Sequence, residues 1–109
     1  MAAKKKAEFP ASETVHHIAA MLKAMGDPVR LNILYHLRQR EYTVTELVND
    51  IGCSQANVSK HLAILRATGL VESRTEKQNR FYHVTDPVVN SVCDTVCSSI
   101  ERRFKSTSE

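Results

Sequence analysis

The sequence lacks long apolar runs and the motifs of common enzyme sites. No stretch approaches the roughly 18 consecutive apolar residues of a membrane-spanning helix, so a membrane partner is not expected. The basic start, MAAKKKAEFP, has no apolar segment of the kind found in secretory signals. A glycine-rich phosphate loop and the nucleophile turn of hydrolases are absent as well. We therefore expect a cytoplasmic protein that is not an enzyme.

Cysteine is scarce, and its number argues against a disulfide framework. The 109 residues include three cysteines, an odd number in a chain without an export signal. The Cys-x-x-Cys spacing of redox motifs does not occur. Any function of these thiols would be metal binding, sulfur or redox chemistry, or packing.

The length and charge of the chain set a mild preference for its partner. A chain of 109 residues is expected to form one domain with a modest core. Lysine and arginine number 15 against 12 for aspartate and glutamate, which gives a net charge of +3 with neutral histidines. This excess favours a polyanion such as nucleic acid but does not identify one.

Capping residues and apolar periodicity predict helices after a polar N-terminal tail. We expect residues 1–11 to form a flexible basic tail, because they are too few and too polar to pack. Ser12 is expected to cap the first helix, and Gly26 to end it in a left-handed conformation. Asp27 and Pro28 would begin a second helix, whose dense apolar residues predict the buried centre of the domain.

The next two helices have the spacing of a helix-turn-helix. Thr43 and Glu46 form a capping-box pattern at the start of a short third helix, which would end before Gly52. Ser54 is expected to cap a fourth helix that ends at Gly69. So short a connection between two helices is typical of a helix-turn-helix.

After the fourth helix the apolar pattern changes from helical to alternating. Two runs rich in branched and aromatic residues, at 70–75 and 80–85, flank a polar tip at 76–79 and predict a hairpin. Asp86 and Pro87 would then begin a fifth helix with a long apolar face, which needs a partner to cover it.

The expected fold is therefore mainly α with a small β-hairpin (α+β), in the order four helices, two strands and a last helix. We place the folded domain at residues 12–105 and a C-terminal tail at 106–109.

The fourth helix and the hairpin carry side chains suited to duplex DNA. Polar residues near the helix N-terminus could bond base edges or phosphates from the major groove. These residues are Ser54, Gln55, Asn57, Ser59, Lys60 and His61. For His61, packing within the helix-turn-helix is an equally open alternative.

The hairpin offers groups that could touch phosphates or enter a minor groove. These are Arg74, Lys77, Gln78, Asn79 and Arg80. A polar helix face alone is usually just solvated, but the basic hairpin that follows it favours a DNA-binding surface.

Two segments carry a resemblance to a known family. DPVRLNILYHL, followed by TELVNDIGCSQANVSKHLAILRATGLVESRTEKQNRFYHV, resembles the ArsR/SmtB family of winged-helix repressors. The likeness covers roughly residues 15–104, and SQANVSKHLAILRATGLVESR is its most specific part.

The resemblance implies a winged helix-turn-helix that forms a homodimer through its first and last helices. It also implies a recognition helix at about 54–68, a wing at 74–80 and a palindromic operator in double-stranded DNA. Many members of this family are repressors released by a metal, a metalloid, a sulfur species or an oxidant.

Two metal sites of that family are missing at the matching positions. One uses two cysteines at the start of the third helix, where this chain has Thr43 and Thr45. Their hydroxyls cannot replace thiolates for a soft ion. The other needs a histidine two residues after Asp86, but Val88 stands there, and the later ligand positions hold a serine and an arginine.

Cys93 and Cys97 are the remaining candidates for an effector site. Four residues apart on a helix, they share a face with β-carbons about 5–6 Å apart. Such a pair could bind a soft metal or metalloid ion, such as a zinc-group ion or arsenite. It could also react with sulfur or redox species. Inert packing in an apolar face is the open alternative. Cys53, just before the recognition helix, suits a core position better than a third ligand.

The functional prediction is a DNA-binding transcriptional regulator, expected to be a repressor, that responds to a thiol-directed effector. Two alternatives remain: a winged helix that docks a protein partner, and a DNA-binding regulator whose cysteines are purely structural.

Overall fold

The computed structural model of the protein describes residues 9–108, and within them the chain forms five helices and one antiparallel hairpin. The elements are α1 (Ser12–Met25), α2 (Pro28–Leu37), α3 (Val44–Ile51), α4 (Gln55–Ala67), β1 (Val71–Glu76), β2 (Asn79–Val84) and α5 (Val88–Ser108). The predicted fold class and order are confirmed. Most of the predicted N-terminal tail, at 1–8, lies outside the described residues. None of the described helices is long and apolar enough to cross a membrane.

Side-chain caps begin the three helices at the centre of the fold, as predicted. Asp27, Thr43 and Ser54 each accept a hydrogen bond from a backbone N–H in the first turn of α2, α3 and α4. Glu46 completes the capping box by accepting from the backbone N–H of Thr43 at 3.0 Å. Gly52 follows α3 with a φ of 86°, a left-handed conformation that lets the chain turn directly into α4.

The first helix begins and ends differently from the prediction. Ser12 is the first residue of α1 rather than its cap, because the carbonyl of Ala11 already accepts the N–H of Val15. Gly26 has a φ of −90° and is not left-handed. The end of α1 is satisfied by another group: the guanidinium of Arg30 donates to the last carbonyls of the helix.

The last helix is longer than predicted. It continues to Ser108 and passes the boundary that we placed at residue 105. The hairpin tip is shorter than predicted, because Glu76 and Asn79 pair in the strands and leave a two-residue turn. Lys77 occupies the first turn position with a φ of 58°.

The core lies where α2, α3 and α4 meet the hairpin and the start of α5. Its fully buried side chains are Ile33, Leu34, Leu47, Val58, Leu62, Leu65, Leu70, Val71 and Val89. Tyr42, in the loop before α3, forms a backbone bridge with Tyr82 of β2, so the hairpin is fastened to the helix-turn-helix. The second helix, predicted to be the buried centre of the domain, contributes Ile33, Leu34 and Leu37 to this core. Its other side is not covered in the protomer, because Leu31 and Tyr35 are exposed.

Candidate nucleic-acid interface

The N-terminal half of α4 presents a polar surface above an apolar one. Val58, Leu62 and Leu65 are fully buried, and they attach the helix to the core. On the other side Gln55, Ser59 and Lys60 are exposed, together with the capping residue Ser54. Asn57 is half-buried at the edge of this surface.

These polar groups are placed where a helix can enter a major groove. Asparagine and glutamine amides can bond adenine edges in pairs, and lysine can reach guanine or a phosphate. The free N–H groups at the start of α4 add attraction for a phosphate. The arrangement therefore places side chains that can bond base edges at the N-terminal end of α4.

His61 does not belong to this exposed surface. His61 is only 8% exposed, and its Nδ1 lies 3.1 Å from Nη1 of Arg30 on α2. We therefore remove His61 from the predicted DNA contacts, because its position on the helix directs it into the protein rather than outward. The alternative interpretation, packing within the helix-turn-helix, agrees with the structure.

The tip of the wing, which we define as residues 77–80, is exposed throughout. Lys77 adopts its positive φ without being glycine, a conformation that costs about 1–2 kcal/mol for an ordinary residue. Arg80 is the second residue of β2. Two exposed cations, Lys77 and Arg80, therefore lie at the tip.

Arg74, the remaining wing cation, is engaged inside the protein. Its Nε and Nη2 bond the carboxylate of Glu41 at 2.7–3.0 Å, and its Nη1 lies 2.8 Å from Oε1 of Glu76. The hydrogen bonds with Glu41 and Glu76 raise the pKa of Arg74. The hydrogen bond with Arg74 in turn lowers the pKa of Glu41. Arg74 also lies over the ring of Phe81.

This arrangement changes the role expected of Arg74. Two carboxylates neutralise its charge, so it ties the wing to the loop before α3 instead of extending freely toward a phosphate. The residues that remain available on the wing are Lys77, Gln78, Asn79 and Arg80.

A second surface is an open groove of about 1170 Å³ between α1, α2 and α5. Its lining is mainly apolar and includes exposed Leu22, Leu31, Tyr35 and Val96. Large apolar patches are uncommon on monomers and mark interaction surfaces.

The candidate effector thiols line this groove. Cys93 is half-buried and Cys97 is exposed. The Sγ of Cys97 donates to a carboxylate oxygen of Glu101 at 3.6 Å, and the charge of Glu101 raises the pKa of Cys97. Cys53 is half-buried and packs against the core, which supports a structural role.

Within the described part of the chain, no group of three or more histidine, cysteine, aspartate or glutamate residues is arranged to hold a metal ion.

A capped polar helix beside a basic two-stranded wing defines a winged helix-turn-helix DNA-binding protein. The family model described as "Bacterial regulatory protein, arsR family" matches residues 27–73, which span α2 to the start of the wing. The chain belongs to this family and is a DNA-binding transcriptional regulator of the ArsR/SmtB type.

Individual relatives agree with this assignment. The chain is 33% identical over 87 residues to the biofilm growth-associated repressor of Xylella fastidiosa, covering 76% of each chain. It is 40% identical over 74 residues to the transcriptional activator HlyU of Vibrio cholerae, covering 68% of each. The crystal structure of NolR from Sinorhizobium fredii has a TM-score of 0.75 and 34% identity, covering 84% of this chain and 95% of that one.

Proposed function

We propose that this protein is a cytoplasmic repressor that binds a palindromic DNA operator as a homodimer through α4 and the wing. The observation that carries the proposal is the joint presentation of exposed polar side chains on α4 and exposed cations at the wing tip. The helix packs against β1, which connects the two contact elements. In such proteins α4 would read bases while the wing holds the backbone.

The apolar surface of the protomer supports the dimer. Val15, Ile18 and Leu22 of α1, and Val96 and Ile100 of α5, are 40–54% exposed. Covering these side chains against a second copy would remove apolar area from water, which is favourable at roughly 25 cal/mol per Å². A two-fold dimer would place its recognition helices about one turn of DNA apart, roughly 34 Å, to match a palindrome.

The wing provides the direct test of DNA binding. Lys77→Gly is expected to raise the melting temperature, because glycine adopts a positive φ without strain, and yet to weaken binding. Arg80→Gln should weaken binding as well. Because both residues would contact phosphates, affinity for the operator and for a random duplex should fall alike. The slope of log affinity against log salt should decrease by about 0.9 per lost contact, hence twice that for a dimer.

These affinities can be measured by fluorescence anisotropy with a duplex from upstream of the gene and a random duplex, each at several salt concentrations. Lys105→Gln removes one charge from the last turn of α5, outside α4 and the wing, and serves as the control. Full affinity of both wing variants at every salt concentration would mean that the wing does not touch DNA. A protein-docking role for the winged helix would then be favoured.

We further propose that Cys93 and Cys97 form a thiol-directed effector site. Both thiols line the groove that a second copy would cover, so four could meet near the dimer axis. Binding of arsenite or a zinc-group ion would replace thiols with bound thiolates, and a sulfur bridge would draw helix turns together. Either change acts between the protomers and can alter the spacing of the recognition helices.

Replacing both cysteines by serine should leave operator binding intact and abolish its response to the effector. In the parent protein the effector is expected to weaken binding by about 5- to 150-fold, the usual range of allosteric coupling. The measurement is operator affinity with and without arsenite, zinc-group ions, polysulfide or peroxide. Cys53→Ser is the matched control and should respond as the parent does.

Glu101→Gln sharpens this experiment. The charge of Glu101 raises the pKa of Cys97, so its removal should increase the thiolate fraction and speed reaction with an oxidant at neutral pH.

If the double serine variant still responds to the same ligand, the thiols are packing atoms. Loss of the dimer in that variant would also indicate packing.

A further inference from the structure

The half-buried side chain of Arg30 on α2 and the buried side chain of His61 on α4 form a polar junction between the two helices. Nε of Arg30 donates to the carbonyl of Ala24 at 2.6 Å, and Nη2 donates to the carbonyl of Lys23 at 3.3 Å. Nη1 of the same guanidinium lies 3.1 Å from Nδ1 of His61. One side chain of α2 therefore bonds both the end of α1 and the middle of α4.

The chemistry of this junction defines the state of the histidine. A guanidinium has donors only, so Nδ1 of His61 must accept and its hydrogen is carried by Nε2. Oδ2 of Asp27 lies 4.0 Å from Nδ1, too far for a hydrogen bond, and it caps α2 by accepting the backbone N–H of Arg30. Arg30 is thus oriented through its backbone as well as its side chain.

The junction orients α4 more than it stabilises the packing of α4 against the core. The apolar residues of α4 already hold the helix to the core, whereas a buried polar pair pays for its desolvation. A hydrogen bond depends on angle as well as distance, so it selects one orientation of the helix among several that apolar packing would allow.

We propose that Arg30 and His61 are positioning residues for DNA reading, which set the orientation of α4 relative to the dimer-forming helix α1. His61 lies one helical turn after Asn57 and directly after Lys60, so rotation at His61 displaces both groups from the bases. This inference rests on the proposed function, because it assumes that α4 reads DNA and that α1 contacts the second copy.

The test compares two replacements of His61. His61→Leu removes the acceptor at similar volume and is expected to weaken operator binding at least tenfold. Binding to a random duplex should change less than twofold, since phosphate contacts tolerate small rotations. In His61→Asn the side-chain oxygen can accept near the position of Nδ1, and operator affinity should recover to within about threefold of the parent.

Arg30→Lys provides a second variant that keeps the charge. The single ammonium group of lysine cannot reproduce the forked hydrogen bonds of the guanidinium to α1 and α4. Affinity for the operator should therefore again fall more than affinity for the random duplex. Arg66→Lys, an exposed arginine in the last turn of α4, is the control and should bind as the parent. Combining Arg30→Lys with His61→Leu should weaken binding no further than about twofold beyond Arg30→Lys alone, because Arg30→Lys has already broken the contact that His61→Leu removes.

The outcomes separate this inference from the function on which it rests. A parent protein that binds no duplex overturns the proposed function. Suppose that the parent binds the operator selectively. If His61→Leu then weakens binding to both duplexes equally, or if His61→Asn does not restore operator affinity, the junction only supports folding. Nitrogen-15 NMR of the parent imidazole gives an independent result: a hydrogen on Nδ1 of His61 would overturn the junction itself.

Discussion

Leu22→Glu is expected to convert the protein to a monomer at micromolar concentration and to weaken operator binding at least 100-fold. Leu22 is 52% exposed in the protomer and lines the groove between α1, α2 and α5. Formation of the proposed dimer would bury the new carboxylate without a partner, which costs several kcal/mol. Because the two recognition helices then no longer bind as a linked pair, affinity falls further. Sedimentation equilibrium and anisotropy measure the two effects.

Ala20→Glu is the matched control for this change. Ala20 lies about 200° from Leu22 around the same helix and is exposed, so its glutamate stays in water. The control should remain dimeric and bind the operator normally. If Leu22→Glu also remains a dimer with full affinity, the apolar face of α1 is not the interface between protomers.

Gln55→Ala and Asn57→Ala are each expected to weaken operator binding by about 1–3 kcal/mol, or roughly 5- to 150-fold. Each change removes an amide that would bond a base edge, so affinity for a random duplex should change far less. The contrast with the wing variants is the diagnostic feature, because phosphate contacts carry no sequence information. Anisotropy titrations with both duplexes measure the ratio of the two affinities.

Gln39→Ala offers a control of the same residue type. Gln39 is an exposed residue just after α2 that lines the groove between α1, α2 and α5 and belongs neither to α4 nor to the wing tip, so its loss should leave both affinities unchanged. Equal losses on the operator and the random duplex would show that Gln55 and Asn57 contact phosphates rather than bases. No loss on either duplex would remove the N-terminal half of α4 from the interface.

Local features of the structure could be predicted closely from the sequence. The caps at Asp27, Thr43 and Ser54 and the end of α3 before Gly52 were predictable, because each satisfies the backbone within a few residues. The wing was predictable from its alternating pattern for the same reason. Such interactions depend on spacing along the chain, which a sequence displays directly.

The corrections share a different cause. Arg30 bonds the end of α1, where Gly26 is not left-handed, and it meets His61, which points into the protein from α4. Arg74 is engaged because Glu41, 33 residues earlier, folds back against the wing. The charges and polar groups were visible in the sequence, but the pairs they would form were not.

The sequence by itself determined the order of elements, the family and the set of polar residues near the N-terminal end of α4, because periodicity, capping and motif are local properties. Only the tertiary structure decided which of those polar residues remain exposed. It also brought Cys93 and Cys97 of α5 into one groove with Leu22 of α1. The physical reason is that burial and ion pairing depend on distances across the fold, which packing of the whole core establishes.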